Sequence, residues 1–193
     1  MHMTPSRLNI AQLCPATKTL GPGERFAIWV QGCPFNCKGC ISPDWIPFKI
    51  ATPMPIDLLA KQIIAEQNIE GITISGGEPM MQAGKLSGLI RRISAERPEL
   101  NVIVFTGFTH RQLVWDEARE LLACIDLLVD GQYVQHLNDQ TGLRGSANQQ
   151  FHFLTDRLLP FREQILNRRS DIEIHLLNDG ALMAGIPPSG FNW

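Results

Sequence analysis

The chain has 193 residues, a formal net charge of −2, and 44% hydrophobic, 7% aromatic and 19% charged residues. Those proportions are globular and exclude disorder over most of the length, and the size suits one domain or one domain with a small appendage. The near-neutral charge leaves no basic footprint for nucleic acid, and no apolar run reaches the roughly 18 residues of a membrane span. Met1 to Ala11 holds no long apolar stretch and does not read as a secretory signal, so a cytoplasmic location is expected.

Phe26 to Gln31 is a short apolar strand bounded by Gly21-Pro22-Gly23 and Gly32. A cysteine-rich loop follows. Pro55 and Asp57 then open a helix whose apolar positions Ile56, Leu59, Ala60, Ile63 and Ile64 repeat at helical spacing. Gly71 to Ser75 is a β-branched strand that ends in Gly76-Gly77-Glu78-Pro79. A second helix carries Leu86, Leu89, Ile90 and Ile93 on one face and is closed by Pro98. Val102 to Thr106 is the next strand, a third helix runs from about Arg111 to Ala123, and Ile125 to Asp130 is a strand stopped by Gly131.

From Tyr133 to Gln150 the chain is polar and reads as a long loop, of the kind that in a compact domain is usually functional or mobile. Phe151 to Leu154 is a strand candidate and Leu158 to Leu166 a helix. Glu173 to Leu177 and Ala181 to Ala184, joined through Asn178-Asp179-Gly180, read as a β-hairpin because Asp-Gly favours a turn with positive φ.

Strands alternating with helices indicate βαβ units and a parallel sheet. Right-handed crossovers place all strand carboxyl ends on one edge, where ligands bind in such sheets. Too few units are present for eight, so the expected fold is an incomplete (β/α)6-type parallel barrel, open on one side. Residues 1–150 would form the core and 151–193 a hairpin extension packed on it.

There are five cysteines, at positions 14, 33, 37, 40 and 124. An odd count without a secretory signal argues against a disulfide framework. Cys33, Cys37 and Cys40 fall within eight residues at Cys-x3-Cys-x2-Cys spacing, whereas Cys14 and Cys124 stand alone, Cys124 reading as a buried inert thiol. Three thiolates suit an iron–sulfur cluster with one iron left open; zinc would need a fourth ligand, and coincidental thiols are the third reading. Gly76-Gly77-Glu78 on the same edge lets the backbone approach a ligand closely, and its carbonyls with the Glu78 carboxylate can accept from an ammonium group.

The three-cysteine motif followed by Gly76-Gly77-Glu78 resembles the radical S-adenosylmethionine (SAM) superfamily. Within it, the chain looks most like glycyl-radical-enzyme activating enzymes, in particular those of the anaerobic (class III) ribonucleotide reductase. Gly21-Pro-Gly-Glu-Arg25, Gln31-Gly-Cys33, Ile41-Ser-Pro-Asp-Trp45 and Phe105-Thr-Gly-Phe-Thr109 carry that likeness. So does Asp126-Leu-Leu-Val-Asp-Gly131 with Arg144-Gly-Ser-Ala-Asn-Gln149. The match spans about Leu8 to Gln150. Gly39 stands where the wider superfamily has an aromatic residue before the third cysteine, a departure shared by the reductase activases.

The resemblance implies a [4Fe–4S] cluster on Cys33, Cys37 and Cys40, with SAM chelating the open iron. It places Gly39, Ile41, Gly76, Gly77, Glu78, Thr106, Asp130 and Gln132 around SAM. It implies reductive cleavage of SAM to a 5′-deoxyadenosyl radical that abstracts a hydrogen atom from a backbone glycine of a partner enzyme, and a flavodoxin- or ferredoxin-type electron donor. Arg144, Asn148 and Gln149 would gate substrate or dock the partner. Arg25 would meet a carboxylate or pair on the surface, and Trp45 would shield the cluster or pack in the core. His136, His152 and His175 read as structural. The alternatives are a radical SAM enzyme for a peptide or small molecule, and a small iron–sulfur or zinc protein that carries electrons or scaffolds a partner.

Overall fold

The computed structural model describes residues 6–178 and 180–188. Strand β1 (Arg7–Thr17) opens the chain and pairs antiparallel with β2 (Arg25–Val30). The cysteine loop leads to β3 (Thr52–Pro55), which returns to the free side of β1. Three units follow: α1 (Ile56–Ala65) with β4 (Gly71–Gly76), α2 (Ala83–Ser94) with β5 (Asn101–Phe105), and α3 (Asp116–Leu122) with β6 (Leu127–Asp130). After the long loop come β7 (Gln150–Phe153), α4 (Arg162–Asn167) and the hairpin β8 (Ile172–Leu177) and β9 (Gly180–Gly185). The hairpin pairs Ile172 with Gly185 through Leu177 with Gly180; Asp179, on which the turn expectation partly falls, lies outside the described residues.

The main sheet has the order β3-β1-β2-β4-β5-β6-β7. Only β2, β4, β5 and β6 run parallel; β1, β3 and β7 are antiparallel to their neighbours. The all-parallel expectation is therefore corrected to a mixed α/β sheet with a separate two-stranded hairpin. The physical reason is the connections. A parallel pair needs a crossover of a dozen residues or more, usually a helix. Only Lys18 to Glu24 joins β1 to β2, and no α-helix lies between β6 and β7.

Side chains alternate across the parallel strands and divide the core in two. Phe26, Ile28 and Val30 of β2, with Ile72, Ile74, Val102 and Val104, pack on Leu59, Ile63, Leu86, Leu89, Ile90 and Ile93 of the helices. On the other face, Ala27 and Trp29 meet Cys14, Leu182 and Ala184, while Ile103, Leu127 and Val129 meet Leu143, Leu158 and Ile165. Strands covered on both faces read as continuous apolar runs, as these do.

The third helix is shorter than its sequence suggests, with a 3-10 turn at His110–Gln112 preceding α3. Pro160 keeps Asp156–Phe161 in 3-10 geometry, so α4 begins only at Arg162. Among the described residues, no helix is long and apolar enough to cross a membrane.

Candidate functional site

The carboxyl ends of β2, β4, β5 and β6 open into one cavity of about 900 Å³. Its geometry begins where β2 stops. Gln31, 5% exposed, donates from its amide to the carbonyls of Asp44 (3.2 Å) and Pro47 (2.8 Å), folding the cysteine loop back onto the strand end. Gly32 N donates to Trp45 O and Cys33 N to Ile46 O, both at 2.9 Å. Trp45 also lies 5.7 Å from Trp29, so it packs on the inner sheet face as well as lining the cavity.

The Gly76-Gly77-Glu78 turn is laced to that loop. Gly77 N donates to Val30 O at 2.7 Å and Glu78 N to Gly32 O at 2.8 Å. Gly76 has φ +107°, and a Cβ there would lie 2.5 Å from Val30 N; at Gly77 a Cβ would lie 2.4 Å from Gly32 O. Both obstacles are backbone, so no side chain fits without moving the strand end.

Cys33, Cys37 and Cys40 are free, half-buried and line the cavity. Burial pushes the Cys33 thiol up to about 11 and raises Cys37, with Glu78 and the neighbouring cysteines adding to the effect and backbone hydrogen bonds opposing it. Such thiols stay protonated on their own and lose the proton to a bound metal centre. Among the described residues, no three His, Cys, Asp or Glu groups gather around a single ion position, and no histidine lines the cavity. A cuboidal cluster takes one thiolate per iron corner, and three thiols lining one cavity fit such a cluster with one iron left open. Cys14 sits on β1, donating to Ala16 O, and Cys124 donates to Glu120 O at the end of α3; neither lines the cavity.

Gly39, Ile41, Gly76, Gly77, Glu78, Thr106 and Gln132 all line the same cavity. Glu78 is 1% exposed and its carboxylate is fully engaged. One oxygen accepts from Met80 N (2.9 Å) and the Thr106 hydroxyl (2.8 Å), and the other from Gly107 N (2.7 Å). The side chain thus ties the β4 turn to the β5 turn. Burial pushes its carboxyl up to about 7, against the pull of those three donors.

Asp130 is not brought to the cavity. Its carboxylate accepts from His110 N at 2.5 Å and lies 2.9 Å from His152 Nε2, while Gly131 takes the place on the cavity wall. Arg25 is also not where it was sought. It is 0% exposed and donates to Thr73 Oγ1, Pro22 O, Ile72 O and both oxygens of Asn101, at the amino ends of the strands and away from the site.

In the long loop, Arg144 donates to Ala147 O and Gln149 O and pairs with Asp139, and Asn148 donates to Gln132 O. Gln149 lines the cavity and donates to Gly131 O at 2.7 Å. Asn148 and Gln149 hold the loop against the β6 end, and Arg144 braces the loop on itself.

Sequence reasoning did not single out Phe35, Tyr133, Gln135 or the stretch Ala181 to Met183, which also line the cavity. Phe35 stacks edge-on to Phe108 at 4.9 Å, and its position midway between the first and second cysteines was the available signal.

Comparison with known proteins agrees with this constellation. Residues 19–152 match the family described as "4Fe-4S single cluster domain", and the chain is an iron–sulfur protein of that family. Within it, the chain belongs to the family of anaerobic ribonucleoside-triphosphate reductase-activating proteins. It is 34% identical over 156 residues to the one from Vibrio cholerae, covering 77% of this chain and 99% of that one. The relatives from Escherichia coli (32% over 156 residues, 76% and 99% covered) and Haemophilus influenzae (31% over 153 residues, 75% and 97%) are similar. A remote likeness to the crystal structure of QueE from Escherichia coli covers 80% of this chain and 66% of that one, at 16% identity and a TM-score of 0.42.

Proposed function

We infer that this chain is a radical SAM enzyme that installs a glycyl radical on anaerobic ribonucleotide reductase. The carrying observation is that three free cysteines and the Gly76-Gly77 turn share one cavity and are hydrogen-bonded to each other's loops. The names of the relatives supply the partner. When bound, the [4Fe–4S] cluster would supply one electron to the sulfonium of SAM, releasing methionine and a 5′-deoxyadenosyl radical that takes a hydrogen atom from a glycine.

The chain's own residues do the rest. Cys33, Cys37 and Cys40 would hold three iron corners. The Gly76-Gly77 backbone gives an ammonium group close approach to carbonyl oxygens, and Glu78 fixes that turn against Thr106 and Gly107. Trp29, Trp45, Phe35 and Phe105 give the cavity an apolar wall, which would keep water from the reacting atoms once the ligands are bound. Pro34, Asn36, Lys38 and Gly39 are exposed, which leaves the loop accessible to a flavodoxin- or ferredoxin-type donor.

On this reading the sheet is a (β/α)6-type barrel left incomplete, supported by its four parallel strands and its open order of seven. Residues 1–150 then act as the radical SAM core and 151–193 as an extension on it, supported by the family match ending at residue 152. The test is anaerobic reconstitution followed by reduction with dithionite in the presence of SAM. The reading expects methionine and 5′-deoxyadenosine in equal amounts. A protein with a full cluster that neither binds nor cleaves SAM would end it.

A further inference from the structure

The hairpin β8–β9 lies beyond the residues that the family match covers, yet it forms part of the cavity. Its register pairs His175 with Leu182 and Glu173 with Ala184 on one face, and Ile174 with Met183 and Leu176 with Ala181 on the other. The first face is docked. Leu182 and Ala184 are buried against Cys14, Ala27 and Trp29. Glu173 accepts from the Thr17 hydroxyl at 2.6 Å and from Lys18 N at 3.2 Å, and His175 Nε2 lies 3.3 Å from Glu173 and 3.6 Å from Cys14 Sγ.

The second face carries Ile172, Ile174, Leu176, Ala181, Met183 and Gly185, with no charge and no hydrogen-bonding side chain. Ile174 is 54% and Leu176 86% exposed, while Ala181, Met183 and Gly185 line the reaction cavity, joined there by Leu182 of the docked face. A two-stranded hairpin is marginal by itself, and an apolar strip of this kind left in water marks a contact. Met183 at the cavity and its cross-strand partner Ile174 at the surface join the two parts of the strip. It offers nothing to a sulfonium, an ammonium or a carboxylate, whose partners stand on the cysteine and Gly76-Gly77 walls. The other reactant is what it faces.

We propose that β8–β9 is the substrate-contacting wall of the cavity, with Met183 in the wall and Ile174 beside it at the surface as specificity-determining residues. The occupant is an extended polypeptide segment of the reductase whose side chains flanking the reacting glycine are apolar. The proposal rests on the function inferred above.

The test uses full-length, cluster-loaded Met183→Lys and Ile174→Lys, with Leu58→Lys on α1, half exposed and away from the cavity, as control. Two quantities are read: SAM cleavage by dithionite without reductase, and glycyl radical yield by electron paramagnetic resonance against reductase concentration. Cleavage without reductase should stay within about twofold of wild type for Ile174→Lys and Leu58→Lys, which lie outside the cavity lining. The half-saturating reductase concentration should rise at least about tenfold for Met183→Lys and Ile174→Lys, a change of about 1.4 kcal/mol, and stay put for Leu58→Lys. Met183→Leu should restore the wild-type value. If a lysine variant loses its cluster, Met183→Thr, uncharged and smaller, replaces it with the same expectation. Unchanged half-saturation in the Met183 and Ile174 variants would overturn the proposal, and so would a loss of uncoupled SAM cleavage in step with radical yield in Ile174→Lys. Failure of the wild type to cleave SAM, seen before any variant is made, would overturn the underlying function and this proposal with it.

Discussion

Replacing Glu78 by glutamine separates the two things the carboxylate does. Geometrically, Glu78→Gln keeps an oxygen for Met80 N and Thr106 but turns an amide NH2 toward Gly107 N, where a carboxylate oxygen accepts at 2.7 Å. One buried hydrogen bond is lost and a donor is left facing a donor, at a cost of about 1–3 kcal/mol. Electrostatically, the folded-state carboxyl sits at about 7, above its ordinary 4.5, because burial disfavours the charged form. Between those values the native state holds a proton that the unfolded state has released. That contribution is fully present below the unfolded value and is lost as pH rises through 7. From about pH 6 to pH 8.5 the wild type therefore loses about 1.4 kcal/mol that the variant never had.

The assay is anaerobic thermal unfolding of both proteins, cluster-loaded, across that range. Glu78→Gln should be less stable at pH 6, and the gap should narrow by about 3–6 °C in Tm toward pH 8.5, since about 1 kcal/mol moves Tm by about 2–4 °C at this chain length. Iron content should be unchanged. A gap that stays constant within about 1 °C from pH 6 to 8.5 would refute the claim that burial governs Glu78.

Changing Cys33, Cys37 or Cys40 to alanine should abolish a reconstituted cluster of about four irons, while Cys14→Ala and Cys124→Ala should retain it, as measured by iron and sulfide analysis with the visible spectrum. Gly77→Ala should lower SAM affinity at least about tenfold in equilibrium binding, because its Cβ would meet Gly32 O and displace the turn from the cysteine loop. Arg25→Met leaves the Thr73, Asn101, Ile72 and Pro22 acceptors without their donor and should cost at least about 3 kcal/mol in denaturant unfolding. Its effect on SAM affinity in the remaining folded protein should be under about twofold, because Arg25 sits at the opposite strand ends.

The parallel centre of the sheet was legible because β-branched runs such as Gly71 to Ser75 and Val102 to Thr106 alternate with helical apolar spacing. The strands β1 and β3 were not. Arg7 to Thr17 is only partly buried along its length and broken by register shifts, so its apolar alternation is weak. Thr52–Pro55 holds two prolines, which sit on a sheet edge where no ladder donor is needed. At the site, the cysteine spacing and Gly76-Gly77 could be read directly, since both depend on local backbone. Asp130 and Arg25 could not, because both side chains are governed by partners distant in sequence: His110 and His152 for Asp130, Thr73 and Asn101 for Arg25. The hairpin was readable as a hairpin, yet its place in the cavity wall depends on contacts with Trp29 and Ala27 across some 150 residues of chain.

The central claim is that a three-cysteine cluster and SAM in this cavity place a radical on a glycine of the reductase. The most direct measurement is electron paramagnetic resonance of the cognate reductase after anaerobic incubation with the reduced, cluster-loaded protein and SAM. The account predicts a glycyl doublet that requires both SAM and Cys33, Cys37 and Cys40, accompanied by one 5′-deoxyadenosine per radical. Cleavage of SAM with no radical on the reductase, or a radical that forms equally well with Cys37→Ala, would contradict it.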